Sequence, residues 1–179
     1  MKRWLTITLA WLGVTLVVLA IVGAAIIGPF FVAFESWSPK PRPSDAVLIE
    51  NLRQKRALFE ALVTMIREDR ALKRVDVDWT DPADPATIGV SAERIARYRE
   101  LCREAGVPRG FYQFETSIVF VAHADGMVVH GSSKSYVWGT SKYEPDVIDG
   151  DLEAEATGQR KFYARRRIDP DWSIELMIN

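Results

Sequence analysis

The sequence predicts an α+β domain behind one N-terminal transmembrane helix, with two further helices packed on an antiparallel sheet of four to six strands. Three observations predict it. Residues 4–34 carry no charge. Apolar residues between positions 45 and 105 recur at helical spacing. After Gly110 the pattern turns to alternation, the period of a strand.

The uncharged run opens at Trp4, closes at Phe34 and holds 31 residues. About 20 apolar residues span a bilayer, whereas a secretory signal has an apolar region of about 7–15. The stretch from Leu5 to Ile27 alone makes roughly 34 Å of helix. Pro29 disfavours helix in the residue before it, so the span ends near Ile27. Gly23, Ala24 and Ala25 imitate a cleavage site, but cutting there would leave a long apolar N-terminus. No cysteine precedes Cys102, so a lipid-attachment cysteine is absent from that region. Lys2 and Arg3 flank one side of the span, and a mixture of Glu35, Lys40, Arg42 and Asp45 follows the other. Basic flanks stay in the cytoplasm. The expectation is a single-pass protein of the bacterial inner membrane with its N-terminus inside and its C-terminal domain in the periplasm. Trp4 and Trp37 bracket the span, where amphipathic rings favour the two interfaces. The lipid bilayer is thus the first expected partner.

The whole chain has 179 residues and a formal net charge of −1. Such a balance argues against a nucleic-acid partner, which needs a basic surface. Cys102 is the single cysteine, so an intrachain disulfide cannot form. Pro39, Pro41 and Pro43 stiffen a linker over 36–43. The domain is expected over 44–179. Ser44 is a suitable N-cap for a continuous helix over 44–69, with Leu48, Leu52, Phe59, Leu62 and Ile66 on its buried stripe and Arg53, Glu60, Arg67 and Glu68 off it.

"VDVDW" reads as a half-buried strand with Val75, Val77 and Trp79 inward, and "DPADPATIG" as a loop. Ser91 caps the second helix, whose buried side holds Ile95, Tyr98, Leu101, Cys102 and Ala105. Gly106 supplies its left-handed C-terminal cap. "SIVFVAHADGMVVHG" reads as a hairpin turning at Asp125-Gly126. "SKSYVWG" is a third strand. "RKFYARRRIDPDWSIELMIN" makes two more, joined at Asp169-Pro170-Asp171.

The segments "LIENLRQKRALFEALVTMIREDR", "IGVSAERIARYRELCREAGVPRG" and "VVHGSSKSYVW" resemble a group of small bacterial envelope proteins with no assigned activity. The resemblance covers about half of the external domain. It implies a compartment and no reaction. Some members look lipid-anchored, and this chain departs from them by using a helix.

Candidate chemistry is sparse. His123 and His130 both lie on the hairpin. With a two-residue turn they share a face as diagonal neighbours, and with a three-residue turn they oppose. Two ligands are too few for a metal site, so half-buried sheet histidines are expected and no metal or cofactor is implied. Asp149, Asp151, Glu153 and Glu155 alternate as in a calcium loop, but lack its later glycine and glutamate. A solvated acidic loop is expected. Ser132 and Lys134 point the same way along a strand, as a serine–lysine dyad requires, yet no oxyanion-hole motif accompanies them. Cys102, near a helix C-terminus, lacks the dipole that favours a thiolate. Arg160, Lys161, Arg165, Arg166 and Arg167 form a basic patch suited to a solvated face, an acidic partner or lipid headgroups. The function these observations favour is a non-enzymatic, inner-membrane-anchored periplasmic domain that binds another envelope protein, an immunity protein against a periplasm-acting toxin being one form. The alternative is an envelope hydrolase or metal-dependent enzyme using Ser132 and Lys134 or His123 and His130.

Overall fold

The computed structural model describes residues 41–127, 130–140 and 145–179, with Met127 and His130 as backbone alone. The expected anchor, with Trp4, Leu5, Ile27, Phe34 and Trp37, lies outside the described residues, as does the linker up to Lys40. Among the described residues no helix is long and apolar enough to cross a membrane.

The α+β class holds, with a larger sheet and more helices than the alternation suggested. Among the described residues, helices α1 (Asp45–Gln54), α2 (Arg56–Glu68), α3 (Ala92–Ala105) and the short α4 (Leu152–Ala156) accompany eight strands. These are β1 (Arg74–Val75), β2 (Thr80–Asp81), β3 (Phe111–Gln113), β4 (Ser117–Met127), β5 (His130–Gly139), β6 (Asp146–Val147), β7 (Phe162–Arg167) and β8 (Trp172–Ile178). They form one sheet in the order β2-β1-β3-β4-β5-β8-β7-β6, antiparallel throughout except for β6 beside β7. The extra strands are the shortest ones. Two or three residues give alternation no room to register.

The expected continuous helix over 44–69 breaks at Lys55. There the chain passes the C-terminus of α3. Lys55 Nζ donates to the Glu104 carbonyl and Asn51 Nδ2 to the Ala105 carbonyl, and these bonds cap orphan acceptors of α3. The predicted stripe is nonetheless right, and Leu48, Leu52, Phe59, Leu62 and Ile66 are all buried. Ser44 caps α1, Ser91 caps α3 through the Arg94 N–H, and Gly106 closes α3 at φ 80°.

"VDVDW" is not a strand. Only Arg74 and Val75 pair, and Val77 and Trp79 are 57% and 46% exposed. Buried Asp76 explains the departure. Its carboxylate accepts the Val77 N–H and pairs with Arg74, while its own N–H donates to the Trp79 carbonyl, so residues 76–79 turn. The Arg74 guanidinium then lies between the Trp79 and Tyr112 rings, at 4.1 and 3.8 Å from their centroids. Gly110 is required beside this turn. At φ 72° it approaches β1 so closely that a Cβ would lie 1.9 Å from the Val75 carbonyl oxygen.

The helices pack on the sheet face that carries Phe120, Tyr136 and Trp172. Phe59 of α2 meets all three edge-on, at 5.7, 4.9 and 5.4 Å between centroids. Tyr136 is pinned at both ends of its hydroxyl, donating to the Leu48 carbonyl and accepting from Asn51 Nδ2. Replacing Phe59 with alanine should therefore cost about 3–5 kcal/mol, read as a lowered midpoint in urea denaturation. A loss below about 1 kcal/mol would contradict Phe59 as the centre of the core.

Candidate functional site

Lys134, expected at a strand surface, is completely buried on the helix-facing side. Its ammonium lies 2.7 Å from Asp45 Oδ1 and 3.2 Å from Glu153 Oε1. Asp45, the first residue of α1, is equally buried. Its Oδ2 accepts the Leu152 N–H at 3.0 Å and the Arg166 guanidinium at 3.2 Å. Oδ1 receives no aligned hydrogen bond, so its contact with Lys134 is an ion pair rather than a directed bond. Glu153 is gripped from outside by Arg42, whose Nε and Nη2 reach both carboxylate oxygens at 2.9–3.1 Å. Three cations and two carboxylates from five chain segments thus form one connected cluster.

A serine–lysine dyad needs the lysine amine to face the hydroxyl. Ser132 and Lys134 do alternate onto one side of β5. However, Nζ is taken up by two carboxylates, and among the described residues no hydrogen bond joins it to Ser132. His123 stands opposite Lys134 in the ladder because a bulge at Ala122 shifts the register between Val121 and His123. Burial holds the imidazole below its ordinary pKa, against the opposing pull of Asp125 and Glu153.

The hairpin does not turn at Asp125-Gly126. Asp125 pairs with Ser132, Gly126 with Gly131 and Met127 with His130, so β4 runs on. Gly126 takes its positive φ, 97°, inside the ladder instead of in a reversal. His130 is therefore four ladder rows from His123 rather than its diagonal neighbour. Among the described residues no cluster of three or more His, Cys, Asp or Glu could hold a metal ion.

The acidic run is a helix start rather than a loop. Asp151 caps α4 by accepting the Glu153 and Ala154 N–H groups, Leu152 is buried, and Glu153 joins the charge cluster. The basic run is divided by strand alternation. Arg166 turns to Asp45 on the helix side, while Arg165 and Arg167, opposite Glu175 and Ser173, share the other face. Arg160 and Lys161 precede β7 and are exposed. Cys102 is buried in the core, and burial pushes its thiol up to about 12.

The sheet face away from the helices carries a groove of about 290 Å³. Strand residues and Phe114 line it, with no helix residue among them. Val119, Val121 and Met177 are its apolar walls. Glu175 is its one carboxylate, only 8% exposed. Oε2 accepts the Tyr163 hydroxyl at 2.9 Å, and Oε1 has no partner. Strand alternation sets Glu175 on the side of β8 away from Ile174 and Leu176 but carries no sign of its burial. A second cleft, of about 540 Å³, lies by the β3–β4 turn. Arg67, Arg70 and Lys73 line it, with Arg67 over the Trp138 ring at 5.3 Å.

Asp45→Asn leaves Lys134 underpaired and should cost about 3–5 kcal/mol in chemical denaturation. Combining Asp45→Leu with Lys134→Met should cost at least about 1 kcal/mol less than the two single changes summed, and strict additivity would refute the coupling. Cys102 in the folded protein should resist a thiol-reactive disulfide at mildly alkaline pH while the urea-unfolded chain reacts fully. Stoichiometric labelling of the folded protein within minutes would contradict its burial.

No family model, curated protein or solved structure matches this chain.

Proposed function

We propose that the chain is a non-enzymatic domain anchored in the bacterial inner membrane and projecting into the periplasm, where it binds another envelope protein through the helix-free face of its sheet. The observation that carries this reading is the groove lined by strand residues and Phe114, with a buried carboxylate in it. The sheet edges support the same choice. Both edge strands, β2 and β6, are two residues long, and Pro82 and Pro145 flank them. Short, proline-flanked edges discourage pairing with an added strand, so the face is the better docking surface. The uncharged run with Lys2 and Arg3 before it supports the anchor and its orientation.

Binding is favoured over hydrolysis because the ammonium of Lys134 is held between Asp45 and Glu153. An immunity protein is one form of the reading. It requires a toxin encoded nearby whose killing this protein relieves.

The full chain should remain with membranes after a carbonate wash. Alkaline phosphatase fused after Asn179 should be active, and an inactive fusion would invert the proposed orientation. A photocrosslinker at Met177 in the groove should capture one specific protein, whereas one at exposed Val47 on α1 should not. Capture at Val47 alone would move the docking surface to the helices. Loss of a measurable envelope-hydrolysing activity in Ser132→Ala, with the fold intact, would favour the enzyme instead.

A further inference from the structure

Resting on that reading of the helix-free face, we propose that the groove recognises an extended apolar segment of the partner protein carrying a single basic side chain, and that Glu175 receives the cation. Glu175 is more than nine-tenths buried, and its Oε1 has no donor. A buried carboxylate oxygen without a partner is unfavourable, and a lysine or arginine brought by a ligand would satisfy it. Among the described residues lining the groove there is no cation for this purpose. Arg165 faces Glu175 across the β7–β8 ladder, yet no ion pair joins them. Ser133 and Ser135 are the neutral polar residues beside it.

The shape selects a chain segment. The lining comes from β3, β4, β5, β8 and β7, five adjacent strands of the sheet. Strands spaced about 4.8 Å apart make this roughly 19 Å across, the length of about six extended residues. A volume of about 290 Å³ is small for a compact ligand but suits a few side chains laid along a trough. Arg165 and Arg167 share this face, so a polybasic stretch would be repelled and one basic residue among apolar neighbours preferred.

The test uses the purified full chain in lipid nanodiscs, panned with a phage-displayed library of random octapeptides. Selected sequences are resynthesised, and each is paired with a version carrying norleucine in place of its basic residue. Glu175→Gln keeps an acceptor for Tyr163 and removes the charge. Ser133→Trp fills the groove and keeps the carboxylate. The expected binders carry one lysine or arginine flanked by apolar residues. Norleucine should weaken them at least tenfold against the unaltered protein but not against Glu175→Gln, and Ser133→Trp should abolish binding. Binders that lack a basic residue, or that ignore Glu175→Gln while still blocked by Ser133→Trp, would overturn the cation inference and leave the docking face standing. A library yielding no binder sensitive to Ser133→Trp would overturn both. Unchanged thermal unfolding of each variant excludes misfolding as the cause.

Discussion

The buried ammonium of Lys134 is the constraint on which the helix-facing half of this domain depends. A charge removed from water must meet opposite charge and hydrogen bonds, or the fold cannot hold it. Lys134 sits in the middle of the longest hairpin, so its partners must come to it. Asp45 brings the start of α1, Glu153 brings α4, and Arg166 brings β7 through Asp45. Each carboxylate is in turn oriented from behind, Asp45 by the Leu152 N–H and Glu153 by Arg42. A buried ion pair is weak evidence for net stability, but removing one member strands the others. The cluster therefore acts mainly on specificity, tying segments over a hundred residues apart into one arrangement.

Each face of the sheet leaves one buried carboxylate oxygen without a hydrogen bond, but Asp45 Oδ1 rests on an ion pair with Lys134 whereas Glu175 Oε1 has no partner. On the helix side, Tyr136, Lys134 and the Asp45 Oδ2 atom all have partners inside the domain. On the other side, Glu175 is buried with one oxygen unmet, and among the described residues no helix residue lines the groove around it. The bulge at Ala122 contributes to this asymmetry. It places His123 opposite Lys134 while Val121 and Ala124 both line the groove, so β4 adds no imidazole to the helix-free side.

Much of the fold was legible in the sequence where burial follows a single period. The stripe from Leu48 to Ile66, the caps at Ser44 and Ser91, Gly106, and the turn before Trp172 are all local signals, and all are where the pattern placed them. The misreadings arise where bonds that apolar periodicity does not register decide the backbone. At Asp76 a side chain captured the backbone and ended a strand that alternation extended. At Asp125-Gly126 the ladder outcompeted a favourable turn pair. At Lys55 contacts with α3 broke a helix whose stripe is continuous. At Asp76 those bonds run to its neighbours Arg74 and Val77, whereas at Lys55 they run to residues distant in the chain. The same holds for the candidate site. Ser132 and Lys134 were legible as neighbours on one face, but the partners of Lys134 lie at positions 45 and 153, and no spacing rule links them. Glu175 was not singled out in the sequence, because alternation along β8 gives no measure of its burial.

The placement of Arg42 connects the cluster to the way the domain is presented. Arg42 belongs to the proline-rich stretch that precedes α1, and its hold on Glu153 fixes where the chain joins the domain. Glu153 contacts Lys134 on the helix-facing side, so Arg42 is held on the side of the sheet opposite the groove. The prolines on either side of Arg42 restrict the backbone there, so the entry point is set by stiffness as well as by charge. A partner could cover the groove without displacing residues 41–44, and the bidentate grip of Arg42 would be the same in the free and the bound protein.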